Sequence, residues 1–196
     1  MKKGTLAHTL TGHHLTLTQL RPLRFAGQTF GWERDKEMRA RFPGIRGNGP
    51  YRWWRYLRRL TRKRSVAWEI RQADSHCPLG ICRLNVEPFG DCLQLDVYLA
   101  ERDRRDEWTA EILAILADDL FSRQVAWAFW TSIQASDRDS LDRHQALGFI
   151  SEGEIRTGTP LPDGSMSSAI PMRLDRERYD EMRDEICRMS GAGWPT

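Results

Sequence analysis

A carboxylate stands in the middle of an apolar, alternating segment of the chain. The apolar side chains of Leu93–Leu99 fall on every second residue, which predicts a strand with one apolar face. Asp96 then lies with Gln94 and Tyr98 on the opposite face. A carboxylate is unusual inside a strand, and one held there could accept a proton as a general base. The alternative is that this face is polar and has no catalytic duty.

A helix near residue 55 concentrates the positive charge of the chain. The segment Arg52–Arg64 holds seven basic residues and no acidic one, so the rest of the chain is net acidic although the whole carries +3. Apolar residues at helical spacing, from Trp53 to Leu60, predict an amphipathic helix over Tyr51–Arg64. Arginines beside Trp53 and Trp54 could bind nucleic acid or an acidic partner. The default interpretation is a solvated basic face, because Trp53 belongs to the apolar stripe.

Histidines and cysteines are the usual metal ligands, and here they lack metal-ligand spacing. They occur at His13, His14, His76, Cys77, Cys82, Cys92 and Cys187. We therefore expect no metal. Four unpaired thiols suit a reducing cytoplasm, which is the expected location. No apolar run approaches the ~20 residues that a membrane helix needs, so we expect no membrane partner.

The predicted strands and helices follow one another along the chain in the order β-α-α-β-β-β-α-β-α-β. The predicted strands are His14–Leu20, Val66–Gln72, Leu79–Val86, Leu93–Leu99, Val125–Ile133 and a last strand ending at Met172–Leu174. The predicted helices are one or two within Phe25–Phe42, then Tyr51–Arg64, Trp108–Phe121 and Asp175–Met189. At 196 residues we expect a single domain, with tails at 1–13 and 190–196.

The stretch Val125–Arg156 is the most informative part of the sequence. Its first nine residues are apolar on both faces, which predicts a strand inside a sheet. Asp137-Arg138-Asp139-Ser140 then supplies side-chain oxygens for a helix N-cap. Gly148 ends that short helix, and Phe149 can fold back onto it.

This order resembles the end of the GNAT N-acetyltransferase fold, in which an interior strand leads to N-x-x-S, S-x-x-x-Y and L-G-F-x-x-E-G. The present sequence reads D-R-D-S, S-L-D-R-H and L-G-F-I-S-E-G. The closing S-E-G-E-I-R looks like the RimJ/RimL-like branch. The resemblance implies an α+β fold with a mixed central sheet of about six to seven strands flanked by helices. It also implies acetyl-CoA as cofactor and an amine as acceptor, either a protein N-terminus or a small molecule.

In that family the cofactor lies in a gap between two strands, which here are Leu93–Leu99 and Val125–Ile133. Its pyrophosphate is held by a glycine-rich loop at a helix N-terminus. The aligned residues here are Arg104, Arg105, Asp106, Glu107, Trp108 and Thr109. Glu107 stands where glycine is expected. Either arginines offset the acidic groups and backbone amides still hold the phosphates, or the carboxylates occupy the helix N-terminus themselves.

The short helix carries further candidates through the same resemblance. His144 occupies the position of the tyrosine that protonates the departing thiolate, and a protonated imidazole could do so. The alternative is that His144 packs on the helix face. Asp137 replaces the asparagine of the family and Ser140 matches its serine. Both could contact the cofactor, or they could act as helix-cap residues alone.

The resemblance places the acceptor beside the first helices, and we assign Trp32, Glu69, Tyr98 and Trp130 to its surroundings. Glu69 is a second candidate base, after Asp96. Two functions remain open at this point. One is an N-acetyltransferase, and the other is a non-catalytic module that uses Arg52–Arg64 to bind nucleic acid or an acidic partner. A homodimer is compatible with either.

Overall fold

The computed structural model describes residues 7–42, 45, 49–61, 65–86, 92–160 and 166–191. Within them, nine strands form one sheet. They are β1 (Thr9–Thr11), β2 (Leu15–Gln19), β3 (Ser65–Gln72), β4 (Pro78–Val86), β5 (Cys92–Leu99), β6 (Ala128–Gln134), β7 (Ile150–Ser151), β8 (Ile155–Pro160) and β9 (Met166–Asp175). The helices are α1 (Pro22–Gln28), α2 (Lys36–Arg41), α3 (Pro50–Leu60), α4 (Arg105–Ser122), α5 (Arg138–Ala146) and α6 (Arg176–Met189). A 3-10 turn, Trp32–Arg34, precedes α2.

The sheet is mixed, with the order β1-β2-β3-β4-β5-β6-β9-β7 and β8 also paired to β9. Its first five strands are antiparallel neighbours, β5 and β6 are parallel, and β9 returns antiparallel to β6. The predicted α+β fold with a mixed sheet is confirmed, and the sheet has nine strands where about six to seven were expected. The added strands are short edge pieces. One of them, β1, lies inside the predicted 1–13 tail because Thr9–Thr11 pairs with Thr16–Thr18 across a tight turn.

Two hydrophobic cores lie on the two faces of the sheet. One is formed by α4, α5 and α6 against residues such as Leu17, Leu95 and Phe129. The other is formed by α1, α2 and α3 against Ile81 and Tyr98. All four residues of the predicted α3 stripe are buried: Trp53, Tyr56, Leu57 and Leu60. The helices on each face therefore position whatever approaches the sheet from that side.

The strand predicted at Val125–Ile133 begins three residues later, at Ala128. Gln124 has a φ of 54°, and the Val125 N–H donates to the Leu120 carbonyl oxygen (2.8 Å). These contacts close the end of α4, so Val125–Trp127 completes the turn into the strand. Trp127, predicted to face a core, is 57% exposed.

The basic helix is shorter than predicted, since α3 ends at Leu60 with Thr61 as its C-cap. Residues 62–64 of the predicted helix lie outside the described part of the chain.

The C-terminal helix α6 begins at a side-chain cap. Its N-cap residue Asp175 accepts a hydrogen bond from the Arg178 N–H (2.9 Å). Among the described residues, none of the helices has the length and hydropathy to span a membrane.

Candidate functional site

The sheet opens between β5 and β6. These parallel strands pair at three positions, Cys92 with Ala128, Leu93 with Phe129 and Gln94 with Trp130. In the described chain no pairing joins them beyond this point. The facing edges of Leu95–Leu99 and Thr131–Gln134 therefore carry backbone groups that are not bonded to each other, as the predicted gap requires.

A cleft occupies this gap and is lined by residues of α2, α4 and α5. Its walls combine apolar side chains with a charged mouth. The lining residues are Glu37, Arg41, Leu95, Val97, Leu99, Arg105, Thr109, Leu113, Thr131, Arg143, His144, Leu147 and Phe149. Three arginines and one glutamate therefore surround an otherwise largely apolar passage, so the mouth is net positive and would attract an anionic group.

The N-terminus of α4 points its backbone at this cleft without a side-chain cap. Arg104 is the N-cap residue and makes no capping hydrogen bond. The first intrahelical bond runs from the Trp108 N–H to the Arg104 carbonyl oxygen (3.0 Å). The Arg105 N–H donates to the Arg102 carbonyl oxygen (3.3 Å). The Asp106 and Glu107 N–H groups have no intrahelical acceptor, and with the helix dipole they favour an anion.

The acidic side chains of this turn are bound by arginines. Glu107 accepts two hydrogen bonds from Arg104, one of them from Nε at 2.9 Å. Asp106 pairs with Arg143 of α5. Glu107 also lies against Gly191, beyond the end of α6, so its carboxylate is directed away from the cleft. Two arginines therefore neutralise these acids, Arg104 of the same turn and Arg143 of α5.

Only two of the six residues predicted for the cofactor loop line the cleft, Arg105 and Thr109. Arg105 pairs with Glu37 of α2 (2.8 Å) and donates to the Leu99 carbonyl oxygen (3.1 Å). Trp108 is buried in the core beneath the Arg104 guanidinium. The predicted loop is therefore the first turn of a helix, whose side chains alternate between cleft, core and surface.

Asp137 and Ser140 start α5 and hold a residue of α2. The Asp137 carboxylate accepts from the Ser140 N–H (3.2 Å), so it is the helix cap. Arg41 donates from Nη2 to Ser140 Oγ (2.8 Å) and lies 3.9 Å from Asp137. The structure thus adds a bridge to α2 to the predicted capping role.

His144 lines the cleft from α5. Its Nδ1 lies 2.7 Å from the Ser140 carbonyl oxygen, and its ring meets Phe149 edge-on at 5.3 Å. A carbonyl oxygen can only accept, so Nδ1 carries the proton. Burial, together with the nearby Arg41 and Arg143 cations, lowers the pKa of His144 to about 4. The imidazole is therefore neutral near pH 7, which favours the packing interpretation over proton donation.

Asp96 lies on the opposite face of β5 from the cleft. Its Oδ2 accepts from Arg83 Nε (3.0 Å) and Nη2 (2.5 Å), while Oδ1 accepts from Gln94 at 3.3 Å. Burial raises the pKa of Asp96, and Arg83 opposes that rise. Oδ1 keeps lone-pair capacity, because its one hydrogen bond among the described residues, from Gln94, is long. Asp96 is thus a restrained carboxylate at the edge of the gap.

The four residues predicted for the acceptor share this face but not one site. Trp32 meets Tyr98 edge-on at 5.5 Å. Glu69 lies two strands away and is engaged by Arg71 (2.6 Å) and by the Arg21 N–H (2.9 Å). Trp130 pairs with Gln94 across the start of the gap. Trp32 and Tyr98 are the pair that the structure brings together.

Three charged residues at the cleft mouth were not among the predicted site residues. Glu37 and Arg41 come from α2, and Arg143 comes from α5. Arg41 and Ser140 are 99 residues apart, so their contact has no local pattern. The one available signal was the helical spacing of Glu37 and Arg41, which places both on one face of α2.

Comparison with solved structures returns GNAT-family acetyltransferases. A GCN5-related N-acetyltransferase from Brucella melitensis aligns with a TM-score of 0.77, at 12% identity, over 94% of this chain and 86% of that chain. A GNAT-family acetyltransferase from Bacillus anthracis gives 0.71, at 8% identity, over 86% and 99%. Mutant forms of the spermidine/spermine N-acetyltransferase SpeG from Vibrio cholerae give 0.65, at 11% identity, over 87% and 98%.

No family model and no curated protein matches the sequence of this chain. The likeness therefore rests on three-dimensional structure at low sequence identity. It agrees with the sheet order, the gap between β5 and β6 and the helix that begins at the mouth of that gap. The protein has the GNAT acetyltransferase fold.

Proposed function

We propose that this protein is an N-acetyltransferase that transfers an acetyl group from acetyl-CoA to an amine. The observation that carries the proposal is the cleft between β5 and β6, which ends at the uncapped N-terminus of α4. Strand edges without partners suit an extended amide chain, and a free helix N-terminus suits a phosphate. Both features face one passage.

The residues present fit acetyl-CoA. The Asp106 and Glu107 N–H groups of α4, with the Arg105 side chain, would hold the pyrophosphate. The Thr109 hydroxyl donates to the Arg105 carbonyl oxygen (2.7 Å) and would have to turn to reach a phosphate. The backbone edges of Leu95–Leu99 and Thr131–Gln134 would hold the pantetheine amides. When bound, acetyl-CoA supplies the activated acetyl group. Arg105 would exchange its ion pair with Glu37 for the phosphate, which is a stronger bidentate acceptor.

We assign proton removal from the amine to Asp96, directly or through water. Burial makes this carboxylate more basic, and Arg83 fixes its orientation through Oδ2. Oδ1 is the acceptor atom. Because β5 borders the gap, a group on its α2-facing side can meet an amine that enters opposite the cofactor. Trp32 and Tyr98 would shape this side.

His144 takes a positioning role in this proposal. As a neutral ring that donates to the Ser140 carbonyl oxygen, it fixes the wall of the cleft and excludes water. Arg41 and Arg143 place positive charge beside it. Cations at that point would stabilise a thiolate, so the leaving group needs no protonated imidazole.

The acceptor is proposed as a class only. An amine fits the face of the sheet that α1, α2 and α3 cover, because the acidic Asp35 and Glu37 lie near Tyr98 there. A protein N-terminus, as in the RimJ/RimL-like branch, and a polyamine, as in the name of SpeG, are the two candidates. Both offer a primary amine that must lose a proton before attack.

A turnover assay tests the proposal. Purified protein is mixed with acetyl-CoA and a panel of polyamines and short peptides with free N-termini, and free thiol is measured. We expect thiol release with at least one amine, at a rate that saturates in acetyl-CoA. Acetyl-CoA binding without release on any amine would point to a non-catalytic module.

That module is the second candidate, and one observation favours it. Ion pairs between Arg105 and Glu37 and between Arg143 and Asp106 cross the mouth of the cleft. If these pairs do not open, the arginines cannot reach a phosphate. A protein that binds no acetyl-CoA at millimolar concentration would then be a binding module with this fold.

A further inference from the structure

A second concave surface lies away from the cleft, between α1 and α3. It is a hollow of about 520 Å³ lined by Leu23, Ala26, Gly27, Phe30, Pro50, Tyr51 and Trp54. We call these residues the α1–α3 hollow. Ligand sites in proteins commonly span ~300–1,000 Å³, so the volume is adequate for inserted side chains. No charged residue is among the lining residues.

Several apolar side chains of the hollow are exposed and do not belong to either hydrophobic core. Leu23 is 78% exposed, Tyr51 66% and Phe30 49%. The inward face of α3 is already buried against the sheet, so these residues are not the inner stripe of an amphipathic helix. Contiguous exposed apolar groups of this kind mark interaction sites.

The exposed arginines of α3 beside the hollow have no carboxylate partner among the described residues. Arg52, Arg55, Arg58 and Arg59 are exposed on α3, and none forms an ion pair with any other described residue. Most arginines elsewhere in the described chain pair with a carboxylate. On the helix, Arg55 follows Tyr51 by one turn and Arg58 follows Trp54 by one turn, so both flank the exposed rings.

Two other occupants fit less well. A two-fold dimer through this face would set the α3 arginines of one copy against those of the other. A nucleic-acid base needs an open ring and polar partners. The Trp54 ring is covered by the Arg58 guanidinium at 5.6 Å and meets Tyr51 at 5.6 Å, and the aliphatic Leu23 and Ala26 complete the lining.

We propose that the α1–α3 hollow, with the arginines of α3, is a docking site for an acidic amphipathic segment of a partner protein. Leucine or aromatic side chains of that segment fill the hollow, and its carboxylates meet the four arginines. Helix-in-groove recognition has this form. The site is separate from the cleft, so docking requires neither acetyl-CoA nor an acceptor amine.

Binding of a designed peptide to the full-length protein tests the proposal. The probe is a fluorescein-labelled 16-residue helical peptide with leucines at every third or fourth position and glutamates elsewhere. At low salt we expect a Kd below about 100 μM, measured by fluorescence anisotropy. The Kd should rise at least about tenfold between 50 mM and 500 mM salt, because exposed charges are screened.

Leu23→Ser and Arg55→Glu should each weaken the peptide at least about tenfold without changing Tm, since both side chains are exposed. Ile150→Ser and Arg188→Glu are the matched controls, an exposed apolar residue and an exposed arginine at other surfaces, and should stay within about twofold. The proposal would be overturned if the peptide did not bind with a Kd below 1 mM. It would also be overturned if Leu23→Ser and Arg55→Glu bound the peptide as tightly as the unmodified protein. Tighter binding of a 12-nucleotide single-stranded RNA at the same arginines would also overturn it. Acetyl transfer is absent from the assay, so its result stands apart from the proposed enzyme activity.

Discussion

Arg104 and Arg105 are adjacent in the sequence and have different partners in the structure. Arg104 holds Glu107 on the outer side of α4, whereas Arg105 lines the cleft and reaches Glu37. At the residue scale, the difference between a working anion site and a degenerate one depends on where such side chains point. The sequence alone placed all of them in one loop.

Replacing Arg105 tests this distinction. Arg105→Ala should raise the KM for acetyl-CoA at least about tenfold, because charge-assisted hydrogen bonds contribute about 1.5–3 kcal/mol. Arg104→Ala is the matched control. It removes an equal charge from the neighbouring residue, whose side chain does not line the cleft. We expect less than about a threefold change there. Equal effects in steady-state assays would contradict the assignment.

Asp96 and Glu69 provide a second matched pair, because each is a buried carboxylate bound by an arginine. Asp96→Asn should lower kcat about 10²–10⁴-fold, as loss of a general base does. Glu69→Gln breaks a similar ion pair two strands from the gap and should leave kcat per folded molecule nearly unchanged. The folded fraction of each variant is measured by circular dichroism. Full activity in Asp96→Asn would remove Asp96 from the mechanism.

The depressed pKa of His144 predicts how stability depends on pH. The pKa is about 4 in the folded protein and about 6.5 when unfolded, so the unfolded chain binds more protons between these values. Stability from this group is complete above about pH 6.5 and falls as the pH drops toward 4, by at most about 3 kcal/mol. His144→Gln should flatten the curve of Tm against pH over this window. Parallel curves for the two proteins would mean that His144 is not buried as a neutral ring.

At the scale of elements, long periodic segments could be predicted and short edge strands could not. The alternation of β5 and the apolar stripe of α3 identify those elements because each buries a whole face. Edge strand β7 spans only two residues and is held by pairing with β9, which no local pattern reveals. The start of β6 was misplaced because Val125–Trp127 is apolar but belongs to the turn.

The candidate site divides in the same way. The helix that follows β5 was predicted from its apolar spacing, and the gap between β5 and β6 was predicted from the resemblance to the GNAT fold. The mouth of the cleft was not, because α2 reaches it through Glu37 and Arg41, far away in the sequence. Contacts over such separations depend on how helices pack, and side-chain type alone does not determine that.

A buried carboxylate ties α4 to the β1–β2 turn. Glu111 accepts from the backbone N–H groups of His14 (2.7 Å) and Leu15 (3.0 Å). Glu111→Ala would leave these donors without that acceptor and should cost about 3 kcal/mol of unfolding free energy, measured by urea denaturation. Asp119→Ala, which breaks the α4 pair with Arg123, should cost under about 1 kcal/mol. Similar losses would show that the link to β2 does not matter.

At the scale of the whole molecule, charge is distributed unevenly between two surfaces. At the cleft mouth, arginines and acids form pairs that the proposed cofactor would have to open, whereas the arginines of α3 face outward without carboxylate partners among the described residues. The cleft is therefore poised for exchange of one anion for another. The arginines of α3 beside the α1–α3 hollow carry charge that no carboxylate of the described residues compensates.

Calorimetric titration of the full-length protein with acetyl-CoA tests the central claim most directly. We predict one site per chain, a Kd below about 100 μM, and an increase of roughly 5–10 °C in Tm at a hundredfold excess over Kd. Arg105→Ala should weaken this binding while Arg104→Ala does not. No heat and no shift in Tm at 1 mM acetyl-CoA would contradict the account.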